Sequence, residues 1–111
     1  MKRNFLFIGY DSMIEEEIGE YIRDKSSEAH FAHTNEQVIR ILDEEDIDTV
    51  VIALYKLEDA AILNYINEYH KEIKIVVSAS QEFDEFIKVI NQRNYSLLKQ
   101  PLQLKELNQY I

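Results

Sequence analysis

The sequence predicts an α/β domain in which a five-stranded parallel sheet is covered by helices on both faces. Two observations support this prediction. Short apolar runs alternate along the chain with segments of helical spacing, which is typical of successive β-α units joined by right-handed crossovers. Three of the runs are also nearly continuous in apolar residues, as expected of central strands that are buried on both faces. A chain of 111 residues suits one such domain, spanning residues 1–111.

Five runs account for the predicted strands. Phe5–Ile8, Val50–Leu54 and Ile73–Val77 are short and apolar, which indicates central strands. Glu28–His33 and Tyr95–Leu98 are partly polar, which favours edge strands with one side toward solvent. Only two glycines and one proline occur in the chain, so we expect short connections between the elements.

The segments between the runs carry apolar residues three or four positions apart, the stripe with which a helix packs on a sheet. The four stripes are Ile14, Ile18, Tyr21 and Ile22; Val38, Ile41 and Leu42; Ile62, Tyr65, Ile66 and Tyr69; and Phe83, Phe86, Ile87 and Ile90. A fifth helix is expected over roughly 102–111, with Leu104, Leu107 and Ile111 on one side.

Helix start signals agree with these stripes. Ser12-x-x-Glu15 and Thr34-x-x-Gln37 have the pattern of a capping box, in which two side chains satisfy free backbone N–H groups reciprocally. Ser80 is placed to cap the fourth helix. The sequence therefore predicts helices that begin close to residues 12, 34 and 80.

Composition narrows the function classes. The formal net charge is −9, and an acidic surface repels phosphate groups, so we expect no direct nucleic-acid binding by this segment. The absence of cysteine excludes disulfides, thiol catalysis and cysteine-ligated metal. The first apolar run, Phe5–Ile8, is too short for a signal peptide or a membrane span. A cytoplasmic protein that does not bind membranes is expected.

Ligands of open parallel sheets bind beyond the carboxyl ends of the strands. The residues at or just past the predicted strand ends are therefore the candidate site. They are Gly9, Tyr10 and Asp11 after the first strand, Ala53 in the third, Ser78 in the fourth and Lys99 in the fifth.

In order and spacing these residues resemble the receiver domain of bacterial two-component response regulators, over nearly the whole chain. Receivers place two acids after the first strand to hold magnesium and a phosphate-accepting aspartate at the end of the third. Ser78-Ala79 matches the Ser or Thr plus small residue that ends their fourth strand. Lys99-Gln100-Pro101 approximates their Lys-Pro pair with one extra residue. The acid positions, however, fall on Gly9, Tyr10 and Ala53, with Asp11 one place late.

The resemblance implies a flavodoxin-like (βα)5 three-layer sandwich with strand order 2-1-3-4-5. It also implies a pseudo-receiver, because a methyl group at Ala53 cannot accept a phosphoryl group and Asp11 alone is a poor magnesium site. We therefore expect a phosphorylation-independent signalling module without enzymatic activity, metal or cofactor. We also expect Lys99 to pair with Asp11 in place of the missing metal cluster, unless Lys99 is simply solvated.

Such a module acts through a protein partner or through self-association as a homodimer. By analogy with receivers, the expected face comprises the fourth helix, the fifth strand and the fifth helix. Its candidate residues are Phe86, Ile90, Tyr95, Leu104 and Leu107. For Tyr95, ordinary core packing is the competing interpretation. The family's Lys-Pro bond raises the expectation of a cis peptide between Gln100 and Pro101, and the inserted Gln100 lowers it again.

Three alternatives stay open at this point. A small-molecule sensor would use the crevice near Tyr10, Ala53, Tyr55 and Ser78, whose aromatic and methyl groups favour an apolar or planar ligand. An active phosphoreceiver would require acids that are misaligned here. An enzyme of another flavodoxin-like family has no positive support in the sequence. The chain is either complete or the amino-terminal part of a longer regulator with an output domain after Ile111.

Overall fold

The computed structural model describes residues 2–54, 61–79 and 95–111. Five strands form one parallel sheet in the order β2-β1-β3-β4-β5, which confirms the predicted flavodoxin-like fold class. The strands are β1 (Asn4–Ile8), β2 (Glu28–Ala32), β3 (Thr49–Leu54), β4 (Lys74–Ala79) and β5 (Ser96–Lys99). The helices are α1 (Ser12–Asp24), α2 (Asn35–Glu44), α3 (Ala61–Tyr69) and a terminal 3₁₀ helix (Leu104–Tyr110).

The strand positions follow from their composition. All six residues of β3, in the middle of the sheet, are buried, because helices cover both faces of a parallel sheet. The partly polar strands β2 and β5 lie at the two edges, as predicted. β2 carries the exposed Glu28, and β5 carries the exposed Leu97 and Lys99.

The core has two layers of different chemistry, one on each side of the sheet. The buried members of the first layer, which we call the aliphatic face, are all Leu, Ile, Val or Ala and include residues of α2 and α3. The second layer, the aromatic face, is built on Phe5, Phe7 and Tyr10 and is covered by α1 and the terminal 3₁₀ helix. The rings of Phe5 and Phe31 lie 5.8 and 5.7 Å from that of Phe7.

The helix caps differ in detail from the predicted capping boxes. Asp11, rather than Ser12, caps α1, and its carboxylate accepts a hydrogen bond from the N–H of Ile14 at 3.0 Å. The cap of α2 is Thr34, as predicted, and its hydroxyl accepts from the N–H of Gln37 at 3.2 Å. The Gln37 amide reaches one residue further back than a capping box requires, to the N–H of His33. Because Asp11 occupies the N-cap position, its carboxylate, and not the Ser12 hydroxyl, accepts from an N–H group of the first turn.

The terminal segment is a 3₁₀ helix and not the predicted α-helix. It starts shortly after Pro101 and spans seven residues with no side-chain cap at Gln103, and short uncapped segments favour the tighter 3₁₀ geometry. The Tyr21 hydroxyl ties it to α1 by donating to Asn108 Oδ1 at 2.7 Å, and the Lys74 ammonium lies 4.8 Å from the centre of the Tyr110 ring.

The fourth predicted helix, with its Ser80 cap, lies outside the described residues. Within the described part of the chain, no helix is long and apolar enough to cross a membrane.

Candidate functional site

The carboxyl edge of the sheet brings the candidate residues of three strands into one row. Ala53 pairs in register with Ser78, and Ser78 pairs with Leu98. Side chains in register on parallel strands point to the same face, and both Ala53 and Leu98 belong to the aromatic face. The row of Ala53, Ser78 and Leu98 therefore forms the floor of the crevice on the side of α1 and the terminal 3₁₀ helix.

Gly9 and Ala53 meet closely at this edge. Gly9 has a positive φ of 89°, and a Cβ built on it would lie 3.2 Å from the Ala53 carbonyl oxygen. A residue with a side chain would be strained in that conformation and would also press on the β3 backbone. Ala53 itself is 2% exposed. The ends of β1 and β3 are therefore packed together, and the methyl group of Ala53 lies in a buried position.

Asp11 and Lys99 do not form the expected ion pair in the described part of the chain. Asp11 is exposed and caps α1, and Lys99 is exposed and forms no ion pair with any described acid. The alternation of side chains along β5 explains the difference. Leu98 faces the aromatic layer, so Lys99, the next residue, points to the opposite side of the sheet from Ala53 and Ser78.

The side chain of Gln100, and not that of Lys99 as expected, lies in the crevice. Its backbone N–H donates to the Ala79 carbonyl at 3.3 Å. Its side-chain Nε2 donates to the carbonyl oxygens of Leu54 and Ser78, both at 3.1 Å. The peptide bond between Gln100 and Pro101 is cis, as the resemblance suggested. The missed signal was the adjacency to proline, since in receivers the functional lysine is the residue directly before it.

A pocket opens beside this row, between α1 and the segment that follows β5. Its volume is about 410 Å³. The described residues that line it are Tyr10, Ile14, Glu17, Ser78, Gln100, Pro101, Leu102 and Leu104. Ser78 is 1% exposed, and its hydroxyl has no hydrogen-bond partner among the residues that the structure describes. The pocket thus combines aliphatic walls with a few polar side chains, among them the buried Ser78.

The described residues at this edge do not fit a magnesium ion. Magnesium takes oxygen ligands in near-octahedral geometry, in proteins chiefly from carboxylates. Gly9, Tyr10 and Ala53, to which the resemblance assigns the positions of the receiver acids, supply no carboxylate, and the Asp11 carboxylate accepts the hydrogen bond of the α1 cap. Across residues 2–54, 61–79 and 95–111, no group of three His, Asp or Glu side chains is arranged to hold a metal ion.

The described residues of the expected interaction face pack against two different layers of the core. Leu107 is fully buried in the aromatic layer, and Leu104 packs half-buried against the same layer. Tyr95 packs against the aliphatic layer, and its hydroxyl accepts a hydrogen bond from the Asn67 amide of α3. Phe86 and Ile90 lie outside the described residues. For Tyr95, the observed contacts are those of the core-packing interpretation.

Comparisons with known proteins give structural matches alone, since neither a protein-family model nor a curated protein sequence matches the chain. A response regulator receiver domain protein from Clostridium thermocellum superposes with a TM-score of 0.80 at 19% identity, over 95% of this chain and 87% of that one. NtrX from Brucella abortus, solved in complex with ADP, gives a TM-score of 0.83 at 16% identity and covers 99% of this chain. A chain named adenylate cyclase from Rhodopirellula baltica gives 0.82 at 8% identity, over 99% of this chain and 84% of that one.

These matches establish that the chain has the fold of receiver domains. At identities of 8 to 19% they carry the fold and no activity. The match to NtrX covers 26% of that protein, so the present chain spans about a quarter of its length.

Proposed function

We propose that this chain is a receiver-like regulatory module that acts through protein contacts and does not use phosphorylation. The observation that carries the proposal is the crevice itself. Position 53, where the resemblance puts the phosphate acceptor, is a buried alanine packed against Gly9. Phosphoryl transfer to a receiver-type acceptor needs a carboxylate nucleophile and neutralisation of the phosphoryl charge. The described crevice residues place no carboxylate at position 53 and no metal-binding group of acids beside it.

The groups around Ala53 support the same conclusion. Gln100, directly before the cis bond, is neutral and is held by the carbonyl groups of Leu54 and Ser78. In receivers the corresponding lysine approaches the phosphoryl group with its ammonium. A carboxamide carries no charge and cannot neutralise that group. Lys99, the residue before Gln100, points to the other side of the sheet. The described contacts of Gln100 in the crevice are therefore neutral hydrogen bonds.

A module without a covalent switch would regulate by presenting a fixed surface to a protein partner or to a second copy of itself. The β5 edge of the sheet is the described part of the surface that the resemblance indicates. There Leu97 is 37% exposed at an edge strand, and edge strands offer unpaired backbone groups as well as side chains. Leu107 is fully buried in the aromatic face, so it is not part of this surface.

The first experiment tests phosphorylation. The chain is incubated with Mg²⁺ and acetyl phosphate, and its intact mass is measured before and after acid or hydroxylamine treatment. We expect no acyl phosphate on the wild-type chain. Ala53→Asp restores a carboxylate without a metal site and is also expected to stay unmodified, with circular dichroism showing whether it folds. A labile phosphoryl group on any acid of the wild-type chain, including Glu58 or Asp59, would overturn the proposal.

The second experiment tests the surface. Leu97→Asp places a charge at the β5 edge, and Met13→Asp is its matched control because Met13 is 77% exposed on α1. Sedimentation velocity over a range of concentrations measures self-association, and the same variants are used with any isolated partner. We expect Leu97→Asp to weaken association at least tenfold and Met13→Asp to leave it unchanged, and neither result should depend on acetyl phosphate. Equal effects of the two variants would contradict the proposed surface.

A further inference from the structure

We propose that the pocket between α1 and the segment after β5 binds a small organic amine with an apolar, planar body. This site goes beyond the proposed function and does not rest on it, because it follows from the pocket's own shape, polarity and charge. A volume of about 410 Å³ lies within the range of roughly 300–1,000 Å³ of small-molecule sites in proteins.

The walls of the pocket select an apolar body. Ile14 from α1 and Pro101, Leu102 and Leu104 from the other side supply aliphatic surface, and Tyr10 supplies an aromatic ring. The Tyr10 ring is held edge-on against Phe7, with the ring centres 6.0 Å apart. A flat ring that slides between these walls would bury its faces against aliphatic and aromatic carbon, which is the usual source of affinity in such sites.

The Ser78 hydroxyl supplies the polar anchor. It is 1% exposed, lines the pocket and lacks a hydrogen-bond partner within the described structure. A buried hydroxyl without a partner is unfavourable, so a ligand group that exchanges a hydrogen bond with it would gain more than at a hydrated surface. Leu98, its neighbour in register on β5, is apolar and offers no such bond.

The charge of the pocket selects a cation. Glu17 is the acidic residue among the described lining residues, and neither Lys nor Arg is found among them. The chain as a whole carries a formal charge of −9, which raises the local concentration of cations and repels anions such as phosphate. The ligand's ammonium group would lie at the mouth and pair with Glu17. Its ring would lie inside the pocket, with the polar edge toward the Ser78 hydroxyl.

The test compares two probes that share a ring and differ in charge, tryptamine and 3-indolepropionate. Isothermal titration calorimetry measures their binding to the full chain, and two-dimensional amide NMR locates the site. We expect tryptamine to bind at least tenfold more tightly than 3-indolepropionate and to shift the amide signals of Glu17, Gln100 and Leu102. Failure of tryptamine to bind at millimolar concentration, equal binding of the two probes, or shifts confined to another region would each overturn the proposal.

Variants separate ligand contacts from effects on folding. Ser78→Ala removes the anchor and is expected to weaken tryptamine binding about three- to tenfold, the loss of one hydrogen bond. Its melting temperature without ligand should be unchanged or higher, because the unpaired hydroxyl is gone. If Ser78→Ala instead lowers the melting temperature and binds tryptamine normally, the hydroxyl has a structural role and the proposal is wrong.

Two further substitutions use exposed positions of α1, so that folding is not at stake. Glu17→Gln should weaken tryptamine binding up to about fivefold and leave indolepropionate unaffected or improved. Its matched control is Glu16→Gln, which removes a neighbouring exposed charge outside the pocket and should change neither. Ile14→Trp, at the pocket mouth, should abolish tryptamine binding by filling the space. Unaltered binding by Ile14→Trp would place the ligand elsewhere.

Discussion

The two faces of the sheet are built from different side chains and are closed by different elements. The aliphatic face is packed from Leu, Ile, Val and Ala under α2 and α3. The aromatic face stacks Phe5, Phe7 and Phe31 under α1 and a seven-residue 3₁₀ helix. Among the described residues, a pocket of about 410 Å³ opens on the aromatic face, between α1 and the segment that follows β5.

This contrast explains where the candidate site lies. The crevice row of Ala53, Ser78 and Leu98 belongs to the aromatic face, and Gln100 joins it there. Large rings fill the middle of the layer, while a short 3₁₀ helix covers less surface at the carboxyl edge than a full α-helix would. The buried Ser78 hydroxyl therefore lines a pocket whose described cover is α1 and the segment after β5.

Phe7→Ala is expected to destabilise the domain more than truncation of an aliphatic core residue. Phe7 is 1% exposed and contacts three other rings, so its truncation should lower the free energy of unfolding by about 3–5 kcal/mol. The matched variant on the opposite face is Ile52→Ala, also 1% exposed. It leaves an aliphatic cavity of smaller size and should cost about 2–4 kcal/mol. Urea unfolding followed by circular dichroism measures both.

The difference between the two losses in the free energy of unfolding tests whether the ring contacts stabilise the aromatic face. Aromatic pairs contribute about 0.5–1.5 kcal/mol beyond the area they bury, so Phe7→Ala should exceed Ile52→Ala by at least that amount. If Ile52→Ala is the more damaging, the ring stack is not what holds the aromatic face together. Equal slopes in urea for both variants are needed for the comparison, since the slope reports the surface exposed on unfolding.

The sheet could be predicted from the sequence because its signals are local and redundant. The runs Phe5–Ile8 and Val50–Leu54 are apolar at every position. Their assignment as central strands therefore does not depend on which side chains point to which face of the sheet. The partly polar β2 and β5 could lie only at the edges. Thr34 likewise caps α2 as its position suggested. For these elements, tertiary packing reinforces what propensity and pattern already favour.

The crevice could not be predicted in the same way, because there a shift of one residue changes the face. Lys99 and Gln100 are adjacent, and strand alternation sends one away from Ala53 and the other toward it. Spacing alone does not say which of the two takes the place before the cis-proline. Similarly, Asp11 and Ser12 are both good helix caps, and the turn at Gly9 decides in favour of Asp11.

Substitutions at positions 99 and 100 separate the roles of these two adjacent residues. Gln100→Ala removes two hydrogen bonds from the carbonyl groups of Leu54 and Ser78 and should lower the free energy of unfolding by about 1–3 kcal/mol. Lys99→Ala is the matched control, because Lys99 is exposed and should change stability by less than about 0.5 kcal/mol. Urea unfolding of both variants measures the difference. A larger effect of Lys99→Ala would assign the crevice role to the lysine after all.

The smallest expected effect tests how the aromatic face is closed. Tyr21→Phe removes the hydroxyl that donates to Asn108 Oδ1 at 2.7 Å, an exposed bond whose loss should cost about 0.5–1 kcal/mol. Because this bond joins α1 to the terminal 3₁₀ helix, amide hydrogen exchange should accelerate in 104–110 and stay unchanged in α2. Tyr69→Phe is the control, since Tyr69 is exposed on α3 and its hydroxyl makes no hydrogen bond with a described residue. If exchange accelerates in both regions, the Tyr21–Asn108 hydrogen bond stabilises the whole domain and not the terminal 3₁₀ helix alone. A local acceleration would show that the cover of the pocket can loosen without unfolding of the sheet, which is the property that entry of a ligand beside Ser78 requires.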